Sequence, residues 1–311
     1  MCVLVYRVVK VIFKNLTEDE SVKILIITDL EGPAGVNGRS DGIGNKIINL
    51  PAATAALTAE VNACVEGLIE SGAKEIVVVD GHGGSNSIEI QSLHPMASLH
   101  TLGGVMAPAN IVDASYDAVI QLGAHAMQGV SDGYLNHTFN SHAVAAMRVN
   151  GELIGEIGVC GLYCGYFNVP TILVSGDQAA CREAIEFFGK SVCTVPTKQA
   201  TARYTVINRP LGLLYPEMKK VAAAALKKFS QDASKFPIKK ILAPYTMEVQ
   251  NMCPNIADAM EKIGAERVDY QTIAFHSDDF IDLWAQRNGW ASGVHNRRFN
   301  VHPNLNKKQE S

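Results

Sequence analysis

The sequence lacks an excess of charge of either sign. Its 27 lysines and arginines stand against 31 aspartates and glutamates, a formal charge of −4 over 311 residues. That balance provides neither the basic surface of a nucleic-acid binder nor a polybasic membrane anchor. No uninterrupted apolar run approaches the roughly 18 residues that argue for a transmembrane helix, so a soluble chain with no membrane partner is expected. Disorder and collagen are excluded by 47% hydrophobic and 19% charged residues. The seven cysteines, at positions 2, 64, 160, 164, 181, 193 and 253, are odd in number and follow no repeating spacing. They read as free thiols in a reducing cytoplasm. Cys160 and Cys164 would share a helix face among apolar neighbours, which assigns them to a core rather than to a metal.

Low-complexity segments and internal repeats are also absent. What the chain does carry is a series of short apolar runs, each ended by a turn. Ile24–Ile27, Ile76–Val79, Ala118–Leu122 and Pro170–Val174 suit strands buried on both faces. Helical composition spans 52–70, 155–167 and a stretch from Asp177, and Asn150-Gly151 marks a hairpin over 145–153. The fold class expected is α/β, a mostly parallel central sheet flanked by helices, with a smaller C-terminal α+β lobe. Strands at 203–207, 239–250 and 267–275 and helices at 211–229, 254–263 and 277–286 build that lobe. The division expected is an N-terminal extension (1–22), a metal-binding catalytic domain (23–198), the lobe (199–286) and a tail (287–311). Residues 1–13, though apolar, carry Arg7 and Lys10 and no small-residue cleavage site, so they do not read as a signal peptide.

Polar residues fall just beyond these apolar runs. Asp29 and Glu31 follow the first strand, His82 the second and His125 the third, at the sheet edge where open α/β sheets bind ligands. Six of the nine histidines lie between residues 82 and 142. In Asp29-Leu30-Glu31, two carboxylates one residue apart point the same way from an extended backbone and can share a metal. A solvated acidic loop is the competing reading. His82, in Asp80-Gly81-His82-Gly83-Gly84, has an open approach, with Asp80 available to orient the ring or its loop. That glycine stretch lacks both phosphate-loop patterns, which argues against nucleotide binding. His125 sits among small residues, where a satisfied core histidine is the alternative. Glu156 lies amid apolar helical positions, and a buried glutamate is rare unless paired or bound to a cation. This mixed nitrogen and oxygen set suits zinc, or manganese, better than magnesium.

Taken together, Asp29-Leu30-Glu31-Gly32-Pro33-Ala34-Gly35, Val79-Asp80-Gly81-His82, Leu122-Gly123-Ala124-His125, Asn136-His137 and Gly155-Glu156-Ile157-Gly158 resemble the zinc-dependent, DppA-type D-aminopeptidase family. The similarity runs from about residue 23 to about 286. The resemblance implies a dinuclear zinc centre in which Asp29 bridges, Glu31 and His82 complete one side, and His125 and Glu156 the other. It also implies a small-peptide substrate and a homo-oligomeric ring, with a decamer among the possible sizes. It places His137 at the family's catalytic position, described there as a nucleophile. Because a metal-activated water is the better attacker of an amide, a proton-carrying or carbonyl-polarising role is the expectation here. Residues 36–56 depart from the family pattern, which bears on substrate identity. The activity expected is hydrolysis after an N-terminal residue, of D-configuration, in a short peptide. The alternatives are an amidohydrolase acting on another small amide and a non-catalytic metal- or peptide-binding protein.

Overall fold

The first strand, β1 (Val22–Thr28), sets the layering of the molecule. Successive side chains of a strand point to opposite faces. Ile24 and Ile26 accordingly pack in one hydrophobic cluster, Leu25 and Ile27 in another, and all four are buried. A strand apolar on both faces belongs in the middle of a sheet covered on both sides. The computed structural model, which describes residues 22–83, 85–101 and 112–289, has it there. The expected N-terminal extension and tail fall almost wholly outside the described residues, as does Cys2.

After β1 come the hairpin β2 (Gly38–Ser40) and β3 (Asn45–Ile47), helix α1 (Leu50–Glu70), β4 (Ala73–Asp80), β5 (Ala97–Thr101) and β6 (Ala118–Ala124). Next follow β7 (Val144–Val149), β8 (Glu152–Leu153), α2 (Glu156–Tyr166), β9 (Thr171–Asp177), α3 (Gln178–Phe188), β10 (Cys193–Ala202), β11 (Thr205–Asn208) and α4 (Leu211–Gln231). The described residues end with β12 (Tyr245–Asn251), α5 (Pro254–Glu261), β13 (Glu266–Arg267), β14 (Thr272–Ser277) and α6 (Phe280–Arg287).

The large sheet has the order β11-β10-β9-β6-β1-β4-β5, parallel throughout except for β11 at one edge. From β1 the chain first builds outward through β4 and β5, then crosses to β6 on the other side. The strand order therefore reverses between β1 and β6. In an open α/β sheet such a reversal leaves a crevice beyond the carboxyl ends of the two strands. Helices α1 and α4 pack together over one face, with Leu57, Val61, Met218 and Leu226 in their shared core. On the other face lie α2, α6 and a second, antiparallel sheet in the order β13-β14-β12-β7-β8.

The mostly parallel central sheet and the smaller α+β layer match the expected class, but the layers do not divide at residue 198. A boundary there falls inside β10. Strands β10 and β11 and helix α4 belong to the large layer, whereas β7 and β8, from residues 144–153, join the small sheet. Pairing decides this. Val149, Met147 and Ala146 align with Met247, Val249 and Gln250 of β12, a long-range contact that no local pattern encodes. The strand expected at 239–250 begins only at Tyr245, following Pro244, whose ring nitrogen has no hydrogen to donate to a ladder. The one expected at 267–275 is broken by a turn in which Asp269 accepts from the amides of Gln271 and Thr272.

Candidate metal centre

The singled-out residues converge where the strand order reverses. Asp29 and Glu31 follow β1, His125 follows β6, His82 lies two residues past β4, Glu156 opens α2, and His137 stands in the segment between β6 and β7. Backbone contact draws the two central loops together. Asp29 N donates to the Leu122 carbonyl at 2.8 Å and Gly32 N to the Gly123 carbonyl at 2.8 Å. Gly123 has φ +75°, and a Cβ there would lie 2.1 Å from the Asp29 carbonyl oxygen. Only glycine permits both that backbone conformation and that approach.

The loop after Asp29 is held from two further sides. Lys198, buried on β10, donates from Nζ to the carbonyls of Glu31 (2.6 Å) and Pro33 (2.8 Å) and stands over the Tyr134 ring. Glu60, buried in α1, accepts from the Ala34 amide at 2.9 Å. Burial pushes the Glu60 carboxyl up to about 8 and the Lys198 ammonium down to about 8. Sequence reasoning missed both, since a lysine in a proline-containing strand and a glutamate in a long helix give no local signal. Lys198→Met keeps much of the bulk but strands the carbonyls, a loss of about 1–3 kcal/mol. Denaturant unfolding should show that loss, and unchanged stability would contradict the clamp.

Within the cluster, His125 Nε2 lies 3.2 Å from Asp29 Oδ2 and 3.1 Å from Glu156 Oε1. His82 Nε2 lies 3.4 Å from Glu31 Oε1, and His137 Nε2 3.8 Å from Glu156 Oε1. The rings of His125 and His137 stack at 3.9 Å. Each has its Nδ1 against a backbone carbonyl, Ala126 for His125 and Leu135 for His137, both at 2.9 Å. A carbonyl only accepts, so Nδ1 carries a hydrogen and Nε2 is the nitrogen turned toward the carboxylates. The Phe139 amide donates to Glu156 Oε1 at 2.6 Å. Asp80 accepts from the amides of Ser87 and Ile88 and from the Ser87 hydroxyl, so it orders the glycine loop rather than the His82 ring.

Burial and the Glu31 charge push the Asp29 carboxyl up to about 7. For Glu31, burial acts upward but the facing His82 outweighs it, and the net direction is down. For Glu156, burial is likewise outweighed by His125, and its pKa falls. His82 rises to about 9 because Glu31 overcomes the effect of burial, and His125 rises through Glu156 and Asp29. His137 moves the other way, lowered by burial and by the neighbouring His125.

These residues fit a bound cation. Two groups, Asp29 with Glu31 and His125, and His125 with His137 and Glu156, offer ligand atoms within 4.8 Å of one another. His125 Nε2 and Glu31 Oε2 are buried without an aligned hydrogen-bond partner, an expensive arrangement that a metal would resolve. His137, expected outside the ligand set, sits close enough to belong to it. His82 touches the cluster through Glu31. A cavity of about 650 Å³ opens on Asp29, His82, His137 and Glu156, and its other lining includes Phe139, Val249, Met260, Ile273 and Arg287.

A family model described as D-aminopeptidase, Peptidase_M55, matches residues 22–287. The chain belongs to this family. The D-aminopeptidase of Bacillus subtilis (strain 168) is 29% identical over 188 residues, which cover 60% of this chain and 66%, just under two thirds, of that relative. A solved structure, the Zn-dependent D-aminopeptidase DppA from Bacillus subtilis, a self-compartmentalizing protease, shares the fold with a TM-score of 0.74 at 23% identity. The match covers 86% of this chain and 96% of that one. Family membership thus extends over the whole described fold, the cluster included. Among the described residues, no helix is long and apolar enough to cross a membrane.

Proposed function

We propose that this protein removes the N-terminal residue, of D-configuration, from short peptides, using two zinc ions held by Asp29, Glu31, His82, His125 and Glu156. One observation carries the reading: three carboxylates and three histidines meet at the strand-order reversal, with His125 Nε2 and Glu31 Oε2 buried without an aligned hydrogen-bond partner. Asp29 would serve both ions, Glu31 and His82 would hold one, and His125 and Glu156 the other. The family description and the Zn-dependence of the structural relative support the choice of zinc and of D-peptides. When bound, zinc polarises a peptide carbonyl and lowers the pKa of a coordinated water toward neutrality.

The chain's own groups do the rest. His137 moves the proton. Its Nδ1 is committed to the Leu135 carbonyl, so Nε2 is the exchanging nitrogen, and its lowered pKa keeps that nitrogen free to accept near neutral pH. The carboxylates lining the cavity attract the substrate's ammonium group, which favours an N-terminus over an internal bond. The apolar wall from β12, β14 and α5 receives the side chains. The six described cysteines are unpaired, which supports a cytoplasmic location. Assembly into a closed ring, a decamer among the candidates, would limit access to small peptides, and the self-compartmentalizing relative supports that step.

The test offers D-Ala-D-Ala, L-Ala-L-Ala, alaninamide and casein to purified protein whose mass is measured by light scattering. The expected result is a large assembly that cleaves the D-dipeptide, spares casein and loses activity to a chelator. Preferred cleavage of the simple amide would favour the amidohydrolase reading, and bound metal without turnover of any substrate would favour a binding protein. A fully active monomer would remove the ring.

A further inference from the structure

We infer that Arg287 receives the C-terminal carboxylate of the peptide, which makes free dipeptides the preferred substrates of this site. The inference rests on the peptidase reading above and deepens it. Arg287 is the last residue of α6 and lines the same cavity as Asp29, His82, His137 and Glu156. Its guanidinium carbon lies 5.4 Å from the centroid of the Phe139 ring and 5.4 Å from that of Trp284. Two aromatic faces thus hold the charge in a partly desolvated position, where an ionic contact is stronger than in open water.

Among the described residues, Arg287 has no carboxylate within ion-pair distance. Its one hydrogen bond there runs from Nη1 to Asn288 Oδ1 at 2.9 Å. A guanidinium presents five donors in a planar fork that matches a carboxylate with two parallel bonds. Such a group, stacked at the wall of a cavity and committed to a single amide oxygen, is equipped for an anion brought by the ligand.

A single residue links the guanidinium to the acidic cluster. Phe139, which carries the guanidinium on its ring, donates its backbone amide to Glu156 Oε1 at 2.6 Å. In a dipeptide the carboxylate follows the scissile carbonyl by a single residue, about 3.3–3.6 Å of extended chain. The cavity therefore carries acidic groups and one arginine, with apolar wall from Val249, Ile273 and Met260. That is the charge pattern of a zwitterionic dipeptide. A tripeptide, or a dipeptide capped as an amide, would bring a neutral amide to the guanidinium.

The test compares D-Ala-D-Ala with its C-terminal amide on the metal-loaded wild type, on Arg287→Lys and on Arg287→Met, with metal content checked in each. Charge-assisted hydrogen bonds of this kind correspond to about 10–100-fold in affinity. Wild type should therefore favour the free acid by that factor, chiefly through KM. Arg287→Met should erase the preference by raising KM for the acid far more than for the amide, and Arg287→Lys should restore part of it. An equal loss on both substrates, or an unchanged preference, would overturn the assignment. If wild type hydrolyses neither peptide, the peptidase reading fails, and calorimetric binding of the same two peptides decides separately. Tighter binding of the acid that Arg287→Met abolishes retains the carboxylate site, and equal binding removes it.

Discussion

Asp29→Ala is expected to emerge from dialysis with no bound metal and no peptidase activity. In the proposed centre Asp29 serves both halves, and its carboxylate lies within 4.8 Å of ligand atoms of Glu31 and His125. Even groups that merely support a metal ligand change affinity by about 10–100-fold when removed, so loss of a shared ligand should exceed that. Asp29→Asn is the informative companion. It has an oxygen able to accept from the Leu30 amide, a bond Asp29 makes at 2.9 Å, but surrenders the charge. Burial and Glu31 push the Asp29 carboxyl up to about 7 against the lowering contact with His125, so its anionic form has much to gain from a cation beside it. The asparagine variant should therefore fold and still bind metal poorly. Elemental analysis of both variants, beside circular dichroism to confirm the fold, measures this. Full occupancy in Asp29→Ala would contradict the bridging role.

The second large effect belongs to His137. Its replacement by alanine should leave the metal in place and lower turnover by about 10²–10⁴-fold, the usual contribution of a general acid or base. The geometry makes this a demanding test. His137 Nε2 is 3.8 Å from Glu156 Oε1, and the ring stacks on His125, so a ligand role is sterically open to it. Loss of metal on substitution would transfer His137 to the ligand shell, and near wild-type turnover would remove it from the mechanism. A covalent adduct between His137 and a substrate fragment, found by mass spectrometry, would identify it as the nucleophile instead.

How far the sequence carried depended on the range of the interactions involved. The runs Ile24–Ile27 and Ile76–Val79 announce buried strands because their neighbours in the chain are themselves apolar. Asn150-Gly151 announces its hairpin for a similarly local reason, since Asn150 and Gly151 both adopt positive φ. Asp29, His82 and His125 were legible as a set because each falls within two residues of a strand end, and strand ends are local features. Strand β10 was not legible. Pro196 argues against a strand, and Lys198 reads as a surface residue until its contacts with Glu31 and Pro33, more than 160 positions earlier, turn it inward. Arg287 was hidden in the same way. It stands at the start of the expected tail, one residue past the helix expected at 277–286, and only packing against Phe139 gives it a place in the cavity. Sheet membership was hidden for the same reason, because it is decided by pairing between distant strands, and β7 finds its partner about a hundred residues later in β12.

Anomalous diffraction from crystals of the metal-loaded protein, recorded on both sides of the zinc absorption edge, addresses the dinuclear centre most directly. The expected map has two peaks sharing Asp29, one beside Glu31 and His82 and the other beside His125 and Glu156. A single peak, a pair that Asp29 does not touch, or peaks outside this cluster would contradict it.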